Sequence, residues 1–189
     1  SIDVPAMIKR KEKVVDNLTE GVASLLKTNG VAILQGKAVL HAGRSVEFSS
    51  HDGEVSVLEA DHIIIATGSK PIEIPAANFS NNIVDSTGAL SFNKVPKFLG
   101  IIGAGIIGLE LGSVWSRLGS KVTVIEALDD FLPMADSDLS KESFKEFKKQ
   151  GLDIHLGSKL TSAKDNGEDV EITYETKGEE LKASFDKLI

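Results

Sequence analysis

The fold is decided by one stretch near the middle of the chain, Gly103-Ala104-Gly105-Ile106-Ile107-Gly108. The apolar run Phe98 to Ile102 precedes it and predicts a buried strand, and the run Ile106 to Leu118 follows it and predicts a helix that Gly119 ends. A further run, Lys121 to Ile125, predicts a second strand. The order of strand, glycine turn, helix and strand is a β-α-β unit, so this part of the chain is predicted to be a parallel α/β structure.

The spacing of the glycines predicts a site for a pyrophosphate group. Gly103 permits a tight turn, Gly105 lets a pyrophosphate approach the backbone, and Gly108 lets the helix pack closely on the strand. Free N–H groups at the start of the helix favour negative charge. The alternative is a glycine-rich turn in a sheet that binds nothing.

The identity of the nucleotide is suggested by an acidic residue. Glu126 ends the second strand, 21 residues after Gly105, where a carboxylate can accept hydrogen bonds from both ribose hydroxyls of NAD. No arginine lies close by in the sequence to bind a 2′-phosphate, and the carboxylate would repel that group. NAD is therefore favoured over NADP.

The first half of the chain is also predicted to contain a helix and a buried strand, but it has no opening glycine turn. Pro5 to Thr28 predicts one amphipathic helix, and Ile63 to Ile65 predicts a strand buried on both faces, which Ala66-Thr67-Gly68-Ser69 ends abruptly. Small residues at the carboxyl end of such a strand indicate either a ligand contact or a plain exit from the sheet. Between the predicted helix and the predicted buried strand, a β-meander is predicted from four short runs: Val31 to Leu34, Ala38 to Leu40, Ser45 to Phe48 and Val55 to Leu58.

The second half has the same elements in the same order. A helix that begins near Asp136 and runs to Lys149 is followed by three β runs, Ile154 to Leu156, Val170 to Tyr174 and Leu181 to Phe185. Aligned on their glycines, residues 29–36 match residues 150–157, and residues 60–64 match residues 185–189.

This internal repeat predicts an α/β protein with two tandem Rossmann-like nucleotide-binding domains, each a parallel sheet with a β-meander layer. We expect a partial FAD-binding domain at residues 1–92 and an NAD-binding domain, truncated at its carboxyl end, at residues 93–189. We also expect the chain to be part of a longer protein.

Composition excludes several classes of function. The 189 residues include no cysteine, which excludes a thiolate zinc site, an iron–sulfur cluster and a thiol nucleophile within this chain. The formal charge is −7 at pH 7 without a local basic patch, so we expect no nucleic-acid partner. No apolar run approaches the roughly 18 residues that span a bilayer, so we expect no membrane partner and a cytoplasmic location. The four histidines show no metal-binding spacing, and we expect no metal site.

The motifs resemble those of the flavin-dependent pyridine nucleotide disulfide oxidoreductases, and among these the lipoamide dehydrogenase branch. The glycine turn and the ATGS run at residues 66–69 are shared by the wider family. The DSTGAL run at residues 85–90 and the LELGSVW run at residues 109–115 are typical of the branch. The similarity extends over essentially the whole chain.

The resemblance implies two bound dinucleotides, FAD and NAD. Gly36 would meet the adenine end of FAD, while Glu126 would hold the adenine ribose of NAD and Leu160 would pack on its adenine. From spacing alone, Glu110 either stabilises the positive end of the helix or reaches toward the nicotinamide, and the resemblance favours the second role. The remaining FAD contacts would be Thr67, Gly68 and Ser69, and the remaining NAD contacts would be Gly103, Ala104, Gly105, Ile106, Ile107, Gly108 and Leu109.

The resemblance also implies a reaction that these residues alone do not complete. In the family, a homodimer that serves lipoyl-bearing subunits of 2-oxo acid dehydrogenase complexes passes electrons from dihydrolipoyl groups through a disulfide and FAD to NAD. The redox cysteines and a His-Glu acid/base pair lie outside this sequence, so we expect no catalytic residue here and no turnover by the chain alone. The alternatives are a related NADH-dependent flavoprotein, such as an NADH oxidase or a disulfide reductase, and a noncatalytic NAD-binding module.

Overall fold

The computed structural model describes residues 2–189, and Ser1 lies outside the described residues. The chain forms two compact units, one of residues 11–70 and one of the residues up to 10 together with residues 71–189. The helices are α1 (Val4–Thr28), α2 (Ser86–Ala89), α3 (Ile106–Leu118) and α4 (Ser137–Lys149). The strands are β1 (Gly36–His41), β2 (Ser45–Ser50), β3 (Val55–Glu59), β4 (Phe98–Ile102), β5 (Lys121–Ile125), β6 (Leu152–His155), β7 (Ser158–Asp165), β8 (Val170–Thr176), β9 (Glu179–Phe185) and β10 (Lys187–Leu188).

The smaller unit contains most of α1 and an antiparallel meander in the order β1-β2-β3. The predicted helix is confirmed, and so are three of the four predicted meander strands. The turn between β1 and β2 uses the left-handed region at Gly43 and Arg44, and the turn before β3 uses it at Gly53. On α1, the apolar side chains of Leu18 and Leu25 stay 66% and 63% exposed.

Two predicted strands of the first half are wrong. Val31 to Leu34 and Ile63 to Ile65 adopt no regular structure, and Ile64 is 91% exposed rather than buried on both faces. A strand needs a neighbour for its N–H and C=O groups, and among residues 2–189 no ladder pairs with either segment. An apolar run alone therefore does not make a strand.

The larger unit is built on a parallel sheet in the order β10-β4-β5-β6. The β-α-β unit is confirmed, because α3 joins β4 to β5 and ends at Gly119, which has a φ of +113°. In the next crossover, the Asp136 carboxylate caps α4 by accepting hydrogen bonds from the backbone of Asp138 and Leu139. The predicted α/β class with a parallel sheet is confirmed.

A second meander, β7-β8-β9, follows β6. Its two turns contain Asn166-Gly167 and Lys177-Gly178, and Gly167, Lys177 and Gly178 have positive φ angles. β7 is not among the predicted strands. It pairs with β8 through a register irregularity between Leu160 and Ser162.

The parallel sheet is covered on both faces. One apolar cluster joins its strands to α3 and α4 and includes Leu99, Ile101, Leu109, Trp115 and Val124. The other joins it to the meander and includes Ile125, Leu160, Val170, Ile172 and Leu188. This arrangement leaves the ends of the strands as the accessible part of the sheet.

The segment before β4 is packed beside the sheet. Ile83 is 4% exposed and forms a parallel bridge with Leu188 of β10. Asn82 is 8% exposed, and its backbone carbonyl accepts a hydrogen bond from Leu188 over 2.8 Å. The segment thereby extends the sheet beyond β10.

Candidate functional site

The glycine turn lies at the carboxyl end of β4, between the strand and α3. Gly103 has a φ of +104°, which L side chains rarely adopt, and its N–H donates to the Ile125 carbonyl of the neighbouring strand over 2.8 Å. Gly105 is the N-cap of α3 and offers no side chain to the helix. The first N–H groups of this 13-residue helix consequently have no partner from the preceding turn of the helix.

The structure explains two of the three glycines of the motif by the fold itself. Gly103 is required by its positive φ. Gly108 is required by close packing, since a Cβ there would overlap the carbonyl oxygen of Gly103 and lie 3.1 Å from Ile101 Cγ2. Gly105 has neither reason, because its φ is −72° and a Cβ there would have no atom within 4 Å. The turn therefore presents open space beside the backbone of Gly105.

Glu126 and the glycine turn are brought together, as the spacing predicts. The Glu126 carboxylate oxygen Oε2 accepts a hydrogen bond from the Ala104 N–H over 2.8 Å. The other oxygen, Oε1, accepts one from the Leu128 N–H, also over 2.8 Å. The side chain is half-buried, so it remains accessible at the same edge of the sheet as the turn.

The carboxyl end of β6 is joined to the same edge by backbone bonds. The Glu126 N–H donates to the His155 carbonyl over 2.9 Å, and the Ser158 N–H donates to the Glu126 carbonyl over 2.7 Å. The Gly157 N–H donates to the Leu128 carbonyl over 2.9 Å. The ends of β4, β5 and β6 therefore form one continuous edge, which is where ligands bind in open α/β sheets.

A comparison with family models identifies the chain. The model described as pyridine nucleotide-disulphide oxidoreductase matches residues 1–186. The chain belongs to this family. Dihydrolipoyl dehydrogenase of Cupriavidus necator is 44% identical over 190 residues, which cover 100% of this chain and 40% of that protein. Dihydrolipoyl dehydrogenase 3 of Pseudomonas putida is 44% identical over 93% of this chain and 38% of that protein.

Solved structures are similar in fold over nearly the whole chain. The HOCl-induced flavoprotein disulfide reductase RclA of Escherichia coli is 28% identical, with a TM-score of 0.81 over 99% of this chain and 42% of that protein. LpdA of Mycobacterium tuberculosis has a TM-score of 0.86 at 22% identity, which is a likeness of fold. The chain spans about two fifths of the length of these oxidoreductases.

The other residues predicted to contact NAD differ in exposure in this family member. Ile106 and Ile107 are 68% and 60% exposed, and Glu110 is exposed on the following turn. Leu109 and Leu160 are 1% and 8% exposed and belong to the two apolar cores. The Leu109 side chain therefore serves packing, and only its backbone faces the start of α3.

The residues predicted to contact FAD lie in the smaller unit and do not form a cradle there. Thr67, Gly68 and Ser69 are exposed residues outside any helix or strand. Gly36 begins β1, and a Cβ at this position would overlap the Ser49 carbonyl oxygen and lie 2.7 Å from the Phe48 ring. The meander itself thus explains the glycine at position 36.

Sequence reasoning missed how Glu126 is held. Its bonds to the backbone of Ala104 and Leu128 depend on the approach of two strand ends, for which the sequence carries no signal beyond the spacing of the acid. Among residues 2–189, no group of three or more metal-ligating side chains was found, and no helix is long and apolar enough to cross a membrane.

Two clefts on the larger unit are lined by residues other than those predicted for the site. One of about 740 Å³ lies near the amino end of β4 and is lined by Asn93, Lys97 and Lys187 among others. The other, of about 410 Å³, is lined by Asp129, Phe131 and neighbouring residues of the segment after β5.

Proposed function

We propose that the edge formed by the glycine turn and Glu126 binds NAD. The observation that carries the proposal is Gly105, whose backbone conformation and surroundings would accept a side chain, so that the fold does not explain its glycine. A pyrophosphate that approaches the backbone would explain it. The free N–H groups at the start of α3 and the positive end of its dipole favour that anion.

The roles of the residues follow from their places along this edge. The backbone of residues 103–108 would hold the pyrophosphate, and the exposed side chains of Ile106, Ile107 and Glu110 would lie on the nicotinamide side. Glu126 would accept hydrogen bonds from the adenine ribose, and Leu160 would lie under the adenine. NAD supplies hydride transfer when bound.

The choice of NAD over NADP follows from charge. The half-buried Glu126 carboxylate would meet a 2′-phosphate at close range, and like charges repel more strongly at a partly desolvated position than in bulk water. We expect NADH to bind the chain at least tenfold more tightly than NADPH. The test is a fluorescence titration of the chain with both nucleotides, and equal affinities would refute the proposal.

We further propose that the chain is the nucleotide-binding part of a flavoprotein that oxidises dihydrolipoyl groups with NAD, through FAD and a disulfide. The dihydrolipoyl dehydrogenases of 44% identity support this reading. Residues 1–92 would be the partial FAD-binding domain, with Gly36, Thr67, Gly68 and Ser69 against FAD, and residues 93–189 the NAD-binding domain. The chain has no cysteine, so the disulfide would come from residues outside this sequence.

The whole protein would then act in the cytoplasm as a homodimer and exchange electrons with lipoyl-bearing subunits of 2-oxo acid dehydrogenase complexes. The name dihydrolipoyl dehydrogenase, which the relative of Cupriavidus necator carries, supports the exchange with dihydrolipoyl groups, whereas the relative of Pisum sativum is named as mitochondrial. The assay is NAD reduction by the full-length protein with dihydrolipoamide.

A second candidate is a flavoprotein disulfide reductase with another substrate. The likeness to RclA, a flavoprotein disulfide reductase, at 28% identity over nearly the whole chain favours it. The dihydrolipoamide assay separates the two. The coding sequence on both sides of the chain tests instead whether the protein is an enzyme, because a cysteine pair upstream and a His-Glu pair downstream would favour either oxidoreductase. A flank with neither pair would favour a noncatalytic NAD-binding module.

A further inference from the structure

We propose that Glu126 is a positioning residue that fixes the glycine turn before any nucleotide binds. This inference rests on the proposed function, since it assigns Glu126 a second role at the same site. The observation is that Glu126 Oε2 accepts a hydrogen bond of 2.8 Å from the backbone N–H of Ala104, the residue between Gly103 and Gly105.

The backbone N–H of Ala104 depends on this carboxylate. Ala104 is 3% exposed, so water does not readily replace a lost partner. Its neighbours Gly103 and Gly105 have no side chains, and glycine restrains the backbone least of all residues. A carboxylate anchored at the end of β5 supplies the restraint that the two glycines lack.

The same side chain also fixes the segment that follows β5. Glu126 Oε1 accepts the Leu128 N–H, and the Leu128 carbonyl in turn accepts the Gly157 N–H after β6. A carboxylate offers about four lone-pair positions, so two backbone bonds leave room for two ribose hydroxyls. Glu126 can thus hold the turn and contact the ribose at once.

The first test needs no nucleotide. Amide hydrogen exchange is measured on the free 189-residue chain for the wild type, E126Q, E126A and the control E175A, which removes an exposed carboxylate on β8. Gln has one acceptor oxygen for two N–H donors, and Ala has none. We expect the Ala104 amide to exchange about tenfold faster or more in E126A, and the Ala104 or Leu128 amide to do so in E126Q, because the backbone opens more often once its charged hydrogen bond is lost.

In E175A these amides should exchange as in the wild type. Unchanged exchange at Ala104 in E126A, in a chain with native circular dichroism, would overturn the positioning role. This outcome is independent of whether NAD binds, so the inference and the proposed function can fail separately.

The second test separates positioning from ribose contact. An NAD analogue that lacks both hydroxyls on the adenine ribose is titrated against the wild type, E126A and E175A. A residue that acts only on the ribose would leave the affinity for this analogue unchanged on substitution. We expect E126A to weaken the analogue about fivefold to tenfold through the turn alone, and an unchanged affinity would contradict us.

Discussion

The side-chain amide of Asn82 donates a hydrogen bond of 2.9 Å to Asp165 Oδ1, which joins two residues 83 positions apart. The bond ties the segment beside β10 to the first turn of the second meander. Asp165 also accepts bonds from Ser80 Oγ over 2.6 Å and from the Gly167 N–H over 2.8 Å. This cluster includes none of the residues predicted to contact NAD, so we expect it to act on stability.

Acid should weaken the larger unit through Asp165. Hydrogen bonds from Ser80, Gly167 and Asn82 lower the pKa of this carboxyl from its ordinary 3.8 to about 2. A carboxyl with a depressed pKa in the folded state stabilises the fold above its unfolded pKa and loses that effect as the pH falls through its folded pKa. Asp165 therefore contributes fully above about pH 4 and progressively less toward pH 2.

The measurement is urea unfolding of the wild type, D165N and E168Q between pH 7 and pH 2.5. D165N should be less stable than the wild type at pH 7, and the difference should narrow below pH 4. E168Q changes an exposed carboxylate of the same turn and should follow the wild type. A constant difference between D165N and the wild type at every pH would count against the assignment.

Truncating Asn82 should cost more stability than truncating its exposed neighbour Asn81. The buried Asn82 amide also donates to the Gly167 carbonyl over 3.0 Å, and its oxygen accepts from Lys187 Nζ over 2.6 Å. Asn82→Ala leaves these partners without their bonds, which we expect to lower the free energy of unfolding by about 1–3 kcal/mol. Asn81 is bonded to Lys187 Nζ through its backbone carbonyl, which Asn81→Ala keeps. We therefore expect Asn81→Ala to lower the free energy of unfolding by less than about 0.5 kcal/mol.

Three glycines of the turn and helix should respond differently to alanine. Gly105→Ala should change stability by less than about 1 kcal/mol and weaken NADH at least tenfold, because its Cβ meets only open space that the pyrophosphate would use. Gly108→Ala gains about 1 kcal/mol of helix propensity, but its methyl would overlap a backbone carbonyl that cannot rotate away. We expect a net loss on the order of 1 kcal/mol or more.

Gly112→Ala is the control for helix packing, since its Cβ would meet only side-chain atoms, at 3.0–3.4 Å. These can shift, so its stability should stay closer to the wild type than that of Gly108→Ala. Thermal unfolding and NADH titration of the three variants check these expectations. Tight NADH binding by a well-folded Gly105→Ala would argue against a pyrophosphate at that position.

The chain alone should not turn over lipoamide and should not carry stoichiometric flavin. The exposed residues Thr67, Gly68 and Ser69 form no FAD-binding cradle within residues 11–70. Gly36 lies against the Phe48 ring, so the packing of the meander accounts for this glycine without a bound FAD. Lipoamide reduction with NADH and added FAD, together with the visible spectrum of the purified chain, provides the check. A yellow protein with one flavin per chain would show that the chain binds FAD without further residues.

The sequence predicts best the parts of the fold that depend on neighbouring residues. β4, the glycine turn, α3 and β5 follow one another with short connections, and their bounds are those predicted. Ile63 to Ile65 fails because an apolar run becomes a strand only beside a partner, which residues 2–189 do not provide. β7 was missed because its residues are mostly polar, and its pairing with β8 decides its structure.

In the candidate site, too, some features could be predicted from the sequence and others could not. The glycine spacing and the position of Glu126 predict which residues meet at the sheet edge. The bond between Glu126 and Ala104 and the cluster of Asn82 with Asp165 join distant parts of the chain through single side chains. Such contacts leave no periodic pattern, so only the structure reveals them.

The segment that runs beside β10 protects the sheet against association with other chains. A strand at the rim of a sheet exposes unpaired N–H and C=O groups that can recruit a strand of another molecule. Here the Leu188 N–H donates to the Asn82 carbonyl over 2.8 Å, and the Leu188 carbonyl accepts the Val84 N–H over 2.9 Å. A shorter chain that started after Val84 would leave Leu188 open to such recruitment and would be prone to aggregate through this rim.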